Sequence, residues 1–148
     1  MKHLFASLAI AAATVASQAA ASPQHCLPIG GTALGQFFDD NAEVIGAMSG
    51  FWAAKRGSVL SQVETDTGYD LDMRHIFSTA SGGVVTTRDK IKLTKVVGDA
   101  DNFALDIAYT VDETFGHLKG YSGTFYSFGR LNLKTGEGLV RYTGEICK

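Results

Sequence analysis

The chain has 148 residues, of which 45% are hydrophobic and 19% charged, and its formal net charge at pH 7 is −2. This length corresponds to one domain with a hydrophobic core of its own. The charges of both signs are scattered without a basic stripe, so the composition argues against a nucleic-acid partner.

The first 21 residues are predicted to be a cleavable secretory signal peptide. Lys2 and His3 form a basic start, residues 4–15 are apolar, and small residues lead to an A-x-A cleavage site ending at Ala21. The apolar run is shorter than the roughly 20 residues that span a bilayer, and no later stretch approaches that length. We therefore expect export to the periplasm or the medium, and a single mature domain of residues 22–148 that contains no membrane span.

Two cysteines lie near the two ends of this mature chain, at Cys26 and Cys147. In an oxidising compartment such a pair usually forms a disulfide, which is the pairing predicted here. A reactive thiol is the alternative, although no His–Asp set neighbours either cysteine in the sequence. The bridge would restrict the unfolded chain by about 4–5 kcal/mol on the chain-entropy argument.

Short apolar segments separated by turn residues predict an all-β domain. Residues 42–54 are the one stretch whose pattern does not decide between helix and strand. Both prolines, Pro23 and Pro28, precede the first predicted strand. The eight predicted strands are residues 32–38, 43–49, 58–65, 69–79, 84–97, 103–111, 124–133 and 139–147.

The clearest alternation of apolar and polar residues lies in residues 69–79. Leu71, Met73, His75 and Phe77 occupy alternate positions there, and the polar Asp70, Asp72 and Arg74 fall on the other side. A strand has a side-chain period of two, so the four residues are predicted to share one face.

Hairpin-linked strands in this number favour a closed antiparallel barrel, because closure removes exposed sheet edges. Glycines inside C-terminal strands, such as Gly129, fit the bends that curve a sheet into a ring. A disulfide between the chain ends would hold the first strand beside the last. A β-sandwich is the alternative, since strand patterns alone do not separate the two folds.

The C-terminal third resembles the allene oxide cyclase/dirigent-like superfamily of calycin-type β-barrels. The resemblance rests on Gly116, Gly120, Gly123 and Phe125, followed by a Thr-Gly hairpin at Gly136 and a last strand that ends at a cysteine. Small exported bacterial members contain a similar series, and residues 73–89 resemble them more loosely. The resemblance implies a closed barrel of about eight strands.

The activity of the superfamily does not follow from this resemblance. Plant members include a cyclase acting on a fatty-acid epoxide and proteins that direct the coupling of phenoxy radicals. Their functional acids and cysteine have no residue-by-residue counterpart here, and Glu113 to Gly116 departs from the usual Gly-rich run. Whether the chain is an enzyme is therefore left open.

An eight-stranded barrel can enclose one small ligand, and alternate residues along the strands line it. A filled core without a cavity is the alternative. The residues predicted to contact a ligand are Trp52, Met73, Phe77, Tyr109 and Tyr126, with Phe37, Phe125 and Phe128 as further aromatic lining.

His75 is the strongest candidate for chemistry, because it shares a face with apolar residues and an imidazole titrates near neutral pH. A hydrogen-bonded core histidine is the alternative. Asp89 or Glu64 could form an acid–base pair with it, provided the hairpin at residues 82–83 brings the strands together. Arg74 or Arg88 could stabilise an oxyanion, although a solvated pair of Arg74 with Asp72 is the simpler interpretation of that arginine.

No metal or cofactor is predicted. The mature histidines, His25, His75 and His117, are not at metal-ligand spacing, and the chain has no phosphate loop or hydrolase motif. We predict an exported barrel that binds a small apolar, phenolic or fatty-acid-derived molecule. The alternatives are a cofactor-free cyclase or isomerase, and a non-catalytic envelope or interaction protein with a filled core; the question of a homo-oligomer is left open.

Overall fold

The structure is a computed structural model that describes residues 25–38 and 43–148. The predicted signal peptide lies outside these residues and stays a prediction, and so does export. Within the described ranges, no helix has the length and apolar character needed to cross a membrane. The helical residues there are the single 3-10 turn Gly116–Leu118.

The all-β prediction is confirmed, and each of the eight predicted strands is present. The strands are β1 (Cys26–Phe38), β2 (Glu43–Gly50), β3 (Ala54–Thr65), β4 (Gly68–Ser78), β5 (Val84–Val96), β6 (Asp99–Phe115), β7 (Thr124–Asn132) and β8 (Glu137–Cys147). The ambiguous segment, as far as it is described, is strand β2 rather than helix.

The strands form one ring-like antiparallel sheet. Each strand pairs with its neighbour in sequence, and β1 also pairs with β8 from Cys26↔Cys147 to Gln36↔Glu137. Cys26 and Cys147 are joined by a disulfide, with their Cα atoms 4.0 Å apart, so the predicted bridge is confirmed. The start of β1 and the end of β8 therefore meet where the ring closes.

Three strands exceed their predicted length by four residues or more. β1 begins at Cys26 instead of residue 32, β3 begins at Ala54 instead of residue 58, and β6 spans Asp99–Phe115 instead of residues 103–111. The reason is that hydrogen bonding to flanking strands continues through residues whose own β propensity is low. Pro28 consequently lies inside β1, contrary to prediction. It is tolerated because β2 pairs with β1 only from Gly31 onward, which leaves one side of Pro28 without a partner strand.

The two ends of the ring differ in their packing. We call the end with Cys26, Cys147 and the turns at residues 51–53 and 79–83 the disulfide end. The opposite end, with the turns at residues 66–67, 97–98 and 133–136, is the hairpin end.

Aromatic side chains fill the interior at the disulfide end. The rings of Trp52 and Phe77 are 5.2 Å apart, and the ring of Tyr109 lies 5.1 Å from Phe77 and 4.7 Å from Phe125. All four side chains are buried. Tyr142 secures the adjacent β2–β3 turn, because its hydroxyl donates to the carbonyl oxygen of Ser49 at 2.6 Å and accepts from the backbone N–H of Trp52 at 3.1 Å.

Candidate functional site

A cavity of about 220 Å³ lies inside the ring, between the aromatic cluster and the hairpin end. Most of its wall is aliphatic, contributed by Leu71, Met73, Ile91, Leu93, Leu105 and Ile107. These residues alternate along β4, β5 and β6, and a period of two directs them all to the inside of the sheet.

Missing side chains explain why this end is hollow. Gly35 on β1 and Gly138 on β8 are register partners, and both line the cavity. Where two facing strands both present glycine, the volume of two side chains stays empty. The glycines near the ends of the chain therefore make room here, in addition to any bending of the sheet.

Two buried polar side chains, Lys55 and His75, reach the cavity wall. Lys55 is 7% exposed and His75 is 1% exposed. β3 and β4 are neighbours, with Lys55 opposite Phe77 and His75 opposite Gly57, so both polar residues belong to the same inward face.

His75 is held by Asp89 on the neighbouring strand β5. Nδ1 of His75 lies 2.7 Å from Oδ2 of Asp89, and Asp89 is 3% exposed. A carboxylate only accepts hydrogen bonds, so Nδ1 carries the proton and Nε2 is left as an acceptor. On the other side the imidazole lies over Gly57, where an added Cβ would come within 2.5 Å of Nε2. Glycine at 57 is therefore required by the position of the ring.

Lys55 is a buried amine without a close partner. Its aliphatic stem crosses Gly46 on β2, where an added Cβ would lie 2.9 Å from Cε. Among the described residues, no hydrogen bond or ion pair engages its Nζ. The nearest compensation is the electrostatic attraction of Asp89, whose Oδ1 is buried and has no hydrogen-bond partner.

Burial controls the protonation of both cavity residues. It lowers the pKa of Lys55 from 10.5 to about 8, against the opposing attraction of Asp89. It also lowers the pKa of His75, and the nearby Lys55 charge adds to this effect while the hydrogen bond to Asp89 opposes it. At neutral pH the buried set is therefore a neutral imidazole, a carboxylate and an ammonium whose proton is held weakly.

Raising the pH from about 8 to about 9.5 is expected to increase the free energy of unfolding by about 1.5 kcal/mol through Lys55. Its pKa is about 8 in the folded chain and returns to the ordinary value of 10.5 on unfolding, so in this interval the unfolded chain binds more protons and stability rises with pH. Urea denaturation at each pH measures the effect. Lys55→Met should lose the increase, and Lys92→Met, at an exposed position of β5, should keep it. If the free energy of unfolding rises equally with pH in all three proteins, Lys55 is not a buried ammonium.

The structure separates the predicted catalytic residues into two groups. The hairpin after β4 brings His75 and Asp89 together inside the ring. Arg74 and Arg88 lie on the exposed outer face, where they approach Glu113 and Asp112 respectively. Glu64 occupies an inward position of β3, opposite Tyr69, but it lies at the hairpin end, where it is exposed and approaches Lys95 at 3.8 Å.

The two arginines do not reach the cavity, because they occupy the strand positions that alternate with the inward ones. Glu64 does not contribute to the cavity wall either, because it lies beyond Gln62 at the end of β3. The pairing of Arg74 with Asp72 was also predicted wrongly. Asp72 pairs with Lys90 at 2.5 Å across β4 and β5, since cross-strand neighbours lie closer than residues two apart on one strand.

The predicted ligand-binding residues are also divided. Met73 lines the cavity, as does Phe37. Trp52, Phe77 and Tyr109 belong instead to the aromatic cluster at the disulfide end, together with Phe125. Tyr126 is 55% exposed on the outer face, and Phe128 is exposed beside it, because β7 directs Phe125 and Ser127 inward.

Lys55 was missed by sequence reasoning. The predicted strand began at residue 58, which left Lys55 in a turn. The signal was present, because continuing the alternation backward from Val59 through Gly57 places Lys55 on the inward face.

The chain was also compared with other proteins. Neither protein-family models, nor curated proteins, nor solved structures match it. The assignment of function therefore depends on the cavity and its polar wall.

Proposed function

We propose that this chain is an exported calycin-type β-barrel that binds one small apolar molecule carrying a neutral polar group. The observation that supports it most directly is the apolar cavity with Lys55 and His75 on one wall. Concave apolar sites with a few fixed polar groups are the usual form of small-molecule sites. The resemblance to the allene oxide cyclase/dirigent-like superfamily, and the pairing of β1 with β8, support the barrel over a sandwich.

The volume limits the size of the ligand. An apolar cavity of about 150 Å³ accommodates benzene. In proportion, the 220 Å³ here corresponds to about nine non-hydrogen atoms. A single-ring phenol, an aromatic aldehyde or a short aliphatic carbonyl compound fits inside, whereas a full-length fatty acid would extend beyond the cavity.

The balance of buried charge limits the chemistry of its head group. Lys55 and Asp89 carry opposite charges, and His75 is neutral, so the buried set has no net charge. A ligand carboxylate would add an uncompensated negative charge, which is costly in a buried site. A phenol or carbonyl group adds none, and can hydrogen-bond with the amine or the imidazole.

Substituting Gly138 by leucine tests this site. An added Cβ at Gly138 meets its nearest neighbours at 3.5 Å, which is ordinary contact, so the longer side chain can extend into the cavity. We expect phenol or an alkylphenol to raise the melting temperature of the native chain, and the variant to lose at least tenfold in affinity. Isothermal titration calorimetry measures the binding.

Leu139→Val is the matched control, because Leu139 lies next to Gly138 on the exposed outer face. It should bind as the native chain does. Equal affinity in the Gly138→Leu variant would place binding outside the cavity, and absence of binding by every phenol and carbonyl probe of this size would overturn the proposal.

Acid–base catalysis on a bound ligand is the second candidate, because the buried Asp89 orients His75 at the cavity wall. An imidazole whose Nδ1–H is fixed by a carboxylate can exchange protons through Nε2. A ligand that is returned chemically rearranged after incubation would support a cofactor-free isomerase, and Lys55 would then replace the arginines as the oxyanion-stabilising group.

A further inference from the structure

We infer that Lys55 is a nucleophile that captures small apolar aldehydes as a reversible imine inside the cavity. This inference rests on the proposed function and narrows its ligand class to carbonyl compounds. It is carried by the position of a buried primary amine on the wall of a mostly apolar cavity.

The amine is available for reaction. Among the described residues its Nζ has no hydrogen bond and no ion pair, and Asp89 acts on it through electrostatic attraction alone. Apolar surroundings favour the neutral amine, which is the nucleophilic form, and lysines desolvated in apolar pockets are the common source of Schiff-base chemistry. Burial accordingly lowers the pKa of Lys55 to about 8.

The reaction needs no component beyond the amine and the aldehyde. The nitrogen of Lys55 attacks the carbonyl carbon, a C–N bond forms, and the carbonyl oxygen takes a proton to give a carbinolamine. The nitrogen then loses its second proton, the hydroxyl group takes a proton and leaves as water, and a C=N bond remains. One carbonyl group and one amine give one imine and one water, without oxidation or reduction.

The neighbouring groups suit these proton transfers. His75 lines the same cavity, and its Nε2 is free to accept a proton from the attacking nitrogen and to return it to the departing hydroxyl. Asp89 on β5 holds the imidazole and balances the charge of a protonated imine. Tyr109 on β6 stays neutral, since burial raises its pKa and its hydroxyl is engaged by Ser127.

The test is reductive trapping of the full-length mature protein, with the disulfide intact, by benzaldehyde and sodium cyanoborohydride. We expect one benzyl group per chain by intact mass, and peptide mapping should place it on Lys55. At about pH 7.5 roughly a quarter of the Lys55 amine is neutral, compared with about one in a thousand for an ordinary lysine, so Lys55 should react at least tenfold faster than the exposed lysines.

Two variants and one competitor complete the experiment. Lys55→Met should lose the adduct, whereas Lys92→Met should be labelled as the native chain is. Phenol, which fits the cavity but has no carbonyl group, should slow the labelling of Lys55 only. The rate for Lys55 should level off above about pH 8, while the rates for exposed lysines continue to rise.

The possible failures can be distinguished. Labelling spread evenly over the exposed lysines, or bound phenol with no adduct on Lys55, would overturn the imine and leave the binding site in place. If neither phenol nor benzaldehyde binds, both the imine and the proposed function are overturned. Should Lys55→Met fail to fold, the peptide map and pH profile of the native chain decide the outcome.

Discussion

Replacing Cys26 and Cys147 together by alanine is expected to lower the free energy of unfolding by about 4–5 kcal/mol. The disulfide joins residues 121 positions apart, and on the chain-entropy argument a crosslink of this span removes that much freedom from the unfolded chain. This is a large part of the 5–15 kcal/mol by which a typical domain is stable. Urea denaturation of the native and double-alanine chains measures the difference.

The ring itself should survive the loss of the bridge. β1 and β8 remain paired as far as Gln36 and Glu137, well beyond the disulfide, so the folded state keeps its closure. The far-ultraviolet circular dichroism of the variant should therefore match that of the native chain at low denaturant. A reductant should destabilise the native chain and leave the variant unchanged. A loss below about 1 kcal/mol would show that the bridge constrains the unfolded chain much less than its loop length implies.

Asp89→Asn is expected to cost about 3 kcal/mol of stability at pH 7. Asparagine can still accept the hydrogen bond from Nδ1 of His75, but it removes the negative charge that compensates Lys55 and adds amide N–H groups to a buried position. The cost should lie near the low end of the range for removing one partner of a buried ion pair, because Lys55 can release its proton and become neutral. Urea denaturation measures the loss.

Two further proteins separate charge from packing at this position. Asp106→Asn, at an exposed site on β6, should leave stability unchanged. The double variant Lys55→Met, Asp89→Asn should be more stable than Asp89→Asn alone, since neither buried charge remains. If the effects of the two substitutions on the free energy of unfolding are additive, Lys55 and Asp89 are not coupled. The charge balance that favours a neutral ligand would then have no basis.

The arrangement of strands could be predicted closely from the sequence. The alternation of Leu71, Met73, His75 and Phe77 identified a strand face, and all four residues are buried on the inward side of β4. The positions of Cys26 and Cys147 identified the bridge that the structure contains. The alternation is a local signal, and the bridge follows from the presence of two cysteines. Neither prediction required knowledge of how the strands pair.

The site could be predicted only in part. His75 and Asp89 were chosen because one hairpin joins their strands, and that contact is present. Arg74 and Arg88 have the right chemistry but lie outside the ring, and Glu64 lies exposed at the hairpin end, away from His75. Lys55 was missed because tertiary pairing with β2 and β4 extends β3 to include it.

The sequence by itself determined the strand periodicity, the turns between strands and the pairing of the two cysteines, because these depend on residue type and short-range spacing. Only the tertiary structure decided where the cavity lies. The aromatic residues pack against one another at the disulfide end, and the hollow is left where Gly35 and Gly138 face each other across β1 and β8. The position of the cavity depends on the register between strands that are distant in sequence. The charge balance on its wall depends on which buried side chains become neighbours. Neither can be read from a local sequence pattern.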